Sequence, residues 1–202
     1  MRMGPESSRN PGRGRSQTED IMPKKPGEIE AKIRDRLSID EAGTLSLGGL
    51  RSVILPVRTL ADISAAGERI LGSGMAAVLY LAGEHAGEAI ATLALHMSDN
   101  GSNPQYLLDR IRKDVEMRGF GRITVVSSSP AQGGALIRIR NSPYADPAQA
   151  GGNGCRFPAG FWAGVVGALA GRGVVSEEMR CSRNGDDVCE FRVAPASQIR
   201  TL

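Results

Sequence analysis

The residues best equipped for chemistry gather in one stretch near the C-terminus, EEMRCSRNGDDVCEF, residues 177–191. It holds Cys181 and Cys189, eight positions apart around Asn184-Gly185, with Glu177 and Glu178 just upstream. The third cysteine, Cys155, lies 26 positions before Cys181. Thiolates and carboxylates are donors for a divalent cation such as Zn²⁺, and four of them close a tetrahedral shell. In a reducing compartment such a group reads as metal-binding or catalytic before it reads as a disulfide.

Strand alternation narrows the geometry. A two-residue turn at Asn184-Gly185 would set Cys181 opposite Val188 and leave Cys189 on the other face. A five-residue loop over 183–187 instead sets Cys181 opposite Cys189, with Cβ atoms roughly 5 Å apart. Glu177 has the right parity for a fourth donor, but four residues of strand place it roughly 13 Å off. Glu178 is nearer with the wrong parity, so it needs a bulge or the strand's end. Glu190 and an open water position are further options. On spacing alone, zinc, free thiols and a disulfide all stay open. Three thiolates and a carboxylate around a divalent cation sum to −2, which is costly to bury. Arg156, Arg180 and Arg183 are the residues expected to offset that charge.

These residues must be held by the elements around them. GEIEAKIRDRL (27–37) has the pattern of a short amphipathic helix, and TLSLGGLRSVILPV (44–57) that of a short strand pair or an extended entry. Pro56 opens a helix carrying Leu60, Ile63 and Ile70, which Gly72 ends. Residues 73–97 form the longest helical pattern, and Ala76, Ala77, Ala82, Gly83, Ala86, Gly87 and Ala89 allow another helix to come close. Asn103-Pro104 caps a third helix that Gly119 closes. Strands follow at 122–129 and 135–141, then a long flexible loop (141–154), an apolar helix (157–171), and strands near 174–182 and 187–194. Helices, strands, one helix and strands again, without repeating βα units, predict an α+β fold: an antiparallel sheet packed with helices. In the apolar helix Gly160, Gly164, Gly167 and Gly171 line one face. That thin face implies either tight packing, on the sheet or on the 73–97 helix, or room for a ligand bordered by Phe157, Phe161 and Trp162, with Tyr80 offering a hydroxyl.

Composition limits the function classes. Apolar residues make up 41% and charged residues 23%, enough for a globular core. The net charge of +3 resides in residues 1–26, where Arg2, Arg9, Arg13, Arg15, Lys24 and Lys25 outnumber Glu6, Glu19 and Asp20. The neutral remainder lacks the basic face that nucleic-acid binding needs. Residues 1–26 are expected to be a disordered tail, 27–196 the folded domain and 197–202 a second tail. The first residues carry no apolar leader, and the longest apolar run, Phe157 to Ala170, is too short to span a bilayer. A cytoplasmic protein is expected. No nucleophile with a partnered base and no dinucleotide fingerprint can be named, so the reading leans against an enzyme.

CRFPAGFWAGVVGALAGRGVVSEEMRCSRNGDDVCEF (155–191) resembles the C-terminal signature of the 4-vinyl reductase domain family. LYLAGEHAGEA (79–89), MRGFGRITVV (117–126) and RIRNSPYA (138–145) resemble its upstream parts, so the likeness covers most of residues 50–195. The resemblance implies a fold similar to NO-signalling domains and to Golgi vesicle-tethering subunits. It also implies a zinc site at Cys155, Glu178, Cys181 and Cys189, and a pocket for a hydrophobic or aromatic small molecule, often in a homodimer. Four filled positions make such a zinc structural rather than catalytic. The family's phenol sensors use a His and a Trp in the pocket; a rough alignment puts Arg118 and Ile139 there, which implies a ligand other than phenol. The family also suggests two further roles: an accessory protein of bacteriochlorophyll or tetrapyrrole synthesis, and a structural adaptor of the vesicle-tethering type.

Overall fold

The computed structural model describes residues 31, 33–98, 103–145 and 155–198. The chain divides into two compact units, up to Ser52 and from Val53 onward.

The first unit is a small antiparallel sheet of β1 (Leu37–Ile39), β2 (Leu45–Leu47) and β3 (Leu50–Arg51). The expected strand pair over 44–57 is the β2–β3 hairpin. Its two-residue turn is Gly48-Gly49, with φ of 60° and 81°, the backbone that a tight hairpin demands and that only glycine adopts freely. The helix expected over 27–37 falls mostly outside the described residues. Ala31, Ile33 and Arg34 are helical, but Leu37 opens β1 and pairs with Leu47. The alternation of Leu37 and Ile39 across Ser38 suits a strand and overrides the helical period at that end.

The second unit opens with three helices: α1 (Val57–Leu71), α2 (Gly74–His96) and α3 (Pro104–Met117). Their ends follow the expected signals. Gly72 follows α1 at φ 56°, and the Asn103 side chain accepts the Gln105 backbone N–H at 2.8 Å ahead of Pro104. Then come β4 (Arg122–Ser129), β5 (Gly134–Arg140), α4 (Arg156–Ala170), β6 (Val175–Arg180) and β7 (Cys189–Ala194). The sheet order is β4-β5-β7-β6, antiparallel throughout. Its inner face presents Ala135, Ile137 and Ile139 from β5 and Cys189, Phe191 and Val193 from β7, all buried. These join Leu107, Leu108, Ile111 and Val115 of α3 and the body of α4 in one core.

The glycines of α4 are explained by α2. A side chain at Gly160 or Gly164 would strike the Tyr80 or Glu84 carbonyl, and one at Gly83 or Gly87 would strike the Phe157 or Phe161 carbonyl. Each helix thus lends a four-spaced glycine pair to the other's backbone. Of the two readings of the thin face, tight packing holds for Gly160 and Gly164. At such an approach Cα–H groups contact carbonyl oxygens, and dispersion replaces the helix propensity that glycine forfeits.

Candidate metal centre

Three elements deliver the four groups. Cys155 immediately precedes α4, Cys181 follows β6 and Cys189 opens β7. In the β6–β7 ladder Glu178 pairs with Phe191 and Arg180 with Glu190, so Met179 is an extra residue on β6. This bulge supplies the parity change that Glu178 needed, turning it to the inner face shared by Phe191 and Cys189. Beyond Arg180 and Glu190 the next residues are Cys181 and Cys189, as the five-residue loop requires. The loop winds through a short 3₁₀ turn, Ser182–Asn184, to Gly185 at φ 98°. The Asp186 carboxylate accepts the Cys181 backbone N–H at 2.9 Å, and the Cys181 carbonyl accepts the Asn184 N–H at 2.9 Å.

The Cys155 sulfur lies 3.5 Å from that of Cys181 and 3.9 Å from that of Cys189. One ligand atom from each of Cys155, Glu178, Cys181 and Cys189 falls within 4.8 Å of all the others. A disulfide bond is about 2.05 Å long, so the three thiols are separate. Zinc–sulfur bonds of about 2.3 Å at tetrahedral angles set sulfurs about 3.8 Å apart, close to both distances here. Glu178 Oε1 is buried with no hydrogen-bond partner. A carboxylate oxygen in that state costs free energy unless a cation meets it. Glu177 faces the other way and pairs with Arg192 at 3.1 Å. The residues can therefore hold a four-coordinate divalent cation.

Crowding splits the thiols electrostatically. The Cys189 thiol is pulled down to about 6, first because Cys155 donates to it and also through the Ser182 hydroxyl and backbone N–H. The Cys155 thiol is pushed up by that same bond to Cys189, by burial and by the Glu178 carboxylate. Burial pushes Cys181 up to about 11, and Glu178 acts in the same direction. A bound cation reverses this order by favouring every anionic form at once. The expected arginine compensation takes another form. Arg156 is exposed and Arg180 pairs with Asp186 at 3.3 Å. The donors that reach sulfur are the Ser182 hydroxyl, the Ser182 N–H and the Arg183 backbone N–H.

The residues expected to meet a ligand lie on and beside α4. Phe161 and Trp162 are buried and meet edge to face, 5.3 Å between centroids. Phe157 is half-buried and stacks on Tyr144 at 5.0 Å. Phe120 joins Tyr144 and Phe161, each at 5.9 Å. Tyr80 stands apart from these rings. Its hydroxyl accepts the Ser176 backbone N–H at 3.0 Å, and burial raises its pKa. Arg118 pairs with Asp114 at 2.8 Å, and Ile139 is a core residue. Sequence reasoning missed Phe120 and Tyr144. Their signal was scarcity: the chain has eight aromatic residues and five gather here.

A model of the vinyl-4-reductase domain matches residues 136–195. No curated protein matches the chain. Among solved structures, the phenol-responsive sensory domain of the transcription activator PoxR, with phenol, is similar at a TM-score of 0.71 and 22% identity, over 86% of this chain and 92% of that one. A trafficking protein particle complex subunit 3 from Naegleria fowleri, covalently bound to palmitic acid, is similar at 0.52 and 17%, over 72% and 95%. A vinyl-4-reductase family protein from Methanocaldococcus jannaschii aligns at 0.46 and 20%, over 86% and 96%. At these identities the likeness to PoxR and to the trafficking subunit is one of fold, the expected α+β arrangement. Cys155, Glu178, Cys181 and Cys189 all fall inside the matched segment, and it is there that the chain carries a vinyl-4-reductase domain.

Proposed function

We propose that this chain is a zinc-stapled domain that binds or senses a hydrophobic or aromatic small molecule without catalysis. The observation that carries the reading is the convergence of Cys155, Glu178, Cys181 and Cys189, with a buried Glu178 oxygen that has no other partner. Zinc would be held by three thiolates and one carboxylate. Such a closed, anionic shell suits a structural ion better than one that activates water. The staple joins the residue before α4 to both strands of the last hairpin. It thereby fixes the first turns of α4, which carry Phe157 and Phe161 into the aromatic cluster. The ligand is recognised by that cluster, with Tyr144 and Phe120 added to Phe157, Phe161 and Trp162, and with Tyr80 as an outlying hydroxyl. A pocket walled by rings and few polar groups suits an apolar guest. The fold shared with a phenol-responsive domain supports this, while Arg118 and Ile139 at the aligned positions favour a guest other than phenol.

The domain works as a homodimer in a reducing cytoplasm. Among the described residues no helix is long and apolar enough to cross a membrane. No residue of α1 is buried, Ile70 is 80% exposed, and Val53 and Ile54 are 74% exposed each. Apolar surface on this scale calls for a partner surface. Native mass spectrometry of protein purified from its own host tests the reading. The expected result is a dimer carrying zinc and a small apolar mass. Chlorin-like absorbance would favour tetrapyrrole synthesis, zinc with no small molecule would favour an adaptor, and a metal-free folded protein would contradict the staple.

A further inference from the structure

The geometry points to a second property of the same thiols, resting on the zinc reading above: we infer that Cys155 and Cys181 form a hydroperoxide-driven disulfide that expels the metal. Their sulfurs approach to 3.5 Å, closer than the 3.9 Å between Cys155 and Cys189 and nearer than the roughly 3.8 Å edge of a tetrahedral zinc–thiolate site. An approach of about 1.5 Å brings them to bonding distance. The three thiols differ in access and in attachment. Cys181 is 7% exposed, Cys155 5% and Cys189 0%. Cys189 is also held by the Ser182 hydroxyl at 3.2 Å and lies within the paired part of β7. Cys181 sits past the last paired residue of β6, between the Met179 bulge and the Ser182–Asn184 turn. It is the sulfur that a small oxidant reaches and that the backbone lets move.

The chemistry balances in two steps. The Cys181 thiolate attacks one oxygen of the hydroperoxide, the O–O bond breaks, and a sulfenic acid forms as hydroxide or alkoxide leaves. The Cys155 thiolate then attacks the Cys181 sulfur, the S–O bond breaks, and a second hydroxide leaves as the S–S bond forms. Two electrons pass from two thiolates to one hydroperoxide. Only the Cys189 thiolate and the Glu178 carboxylate then remain as donors, too few for a structural site. The new bond ties the start of α4 to the end of β6, as the metal had done, so the fold persists while β7 is released from the staple. Metal occupancy thus becomes a reversible record of oxidant.

The test uses the full chain, purified under reducing conditions and loaded with zinc, then titrated with hydrogen peroxide. The expected result is release of the bound zinc together with the loss of two hydrogens from the intact mass. Peptide mapping should link Cys155 to Cys181, and dithiothreitol with added zinc should reverse both changes. Glu178→Gln, which keeps all three thiols, should form the same link at several-fold lower peroxide. Zinc retained through the titration, release with sulfinic acid instead of a disulfide, or a link through Cys189 would each overturn the switch and leave the zinc reading standing. A folded chain that never takes up zinc removes both.

Discussion

Glu178 owes its place in the metal centre to a single extra residue on β6, since without the Met179 bulge its carboxylate would face solvent beside Arg192. The sequence required such a bulge but offered no sign of one, because bulges follow from tertiary fit more than from residue type. The cysteines were legible from spacing and register; the choice of Glu178 over Glu177 came from family resemblance. Structural zinc contributes on the order of 10 kcal/mol in small peptides. Cys189→Ser is therefore expected to give insoluble protein, or protein whose melting no longer responds to a chelator. Wild-type melting and wild-type zinc content in that variant would contradict the staple. Acid should act in a defined order. Thiolates take up protons and release metal first. The Asp186 carboxyl is held below the usual carboxylate range, chiefly by the Cys181 backbone N–H and then by Arg180. A lowered carboxyl stabilises the fold above its unfolded pKa, near 3.9, and that contribution fades as pH falls through the folded value. Following zinc with a chromogenic chelator, and the turn by amide exchange at Cys181, should show metal loss at the higher pH. Simultaneous loss would mean that the turn depends on the metal.

At the scale of elements, the decisive contact is the glycine-to-carbonyl packing of α2 on α4. Helix limits, caps and strand alternation were readable because each rests on local chemistry: Asn103 before Pro104, Gly72 after Leu71, and the Gly48-Gly49 turn. The glycine spacing announced a close neighbour but not which one, since a face without side chains fits a helix, a sheet or a ligand equally well. Gly164→Ala puts a methyl against the Glu84 carbonyl, and backbone cannot yield as a side chain would. It should cost about 1–3 kcal/mol or more in chemical denaturation. Gly74→Ala, whose added methyl would come no nearer than 3.9 Å to Leu71, should be neutral or stabilising by up to about 1 kcal/mol. Equal effects in the two variants would show that helix propensity, not packing, governs these sites. Tyr80→Phe removes the acceptor of the Ser176 N–H and should cost about 1 kcal/mol in the same assay; no change would mean that water replaces the hydroxyl.

At the scale of the whole molecule, the exposed apolar side chains of 53–55 and α1 are the largest departure from what the sequence suggested. Periodicity identified the apolar positions of α1, Leu60, Ile63 and Ile70, yet it could not say whether those positions meet this chain's own core or another molecule. In the fold Ile63 and Ile70 are exposed. Ile70→Glu should shift sedimentation from dimer to monomer with zinc content unchanged, and a dimer unaffected by the change would place the interface elsewhere. The arrangement of α4, the last hairpin and the aromatic cluster all turns on one ion held by four named side chains. X-ray absorption at the zinc edge of the purified protein tests this most directly. The expected spectrum has three sulfur scatterers at about 2.3 Å and one oxygen at about 2.0–2.2 Å, with the oxygen shell altered in Glu178→Gln. Zinc surrounded by nitrogen and oxygen alone, or no zinc in a fully folded protein, would contradict the account.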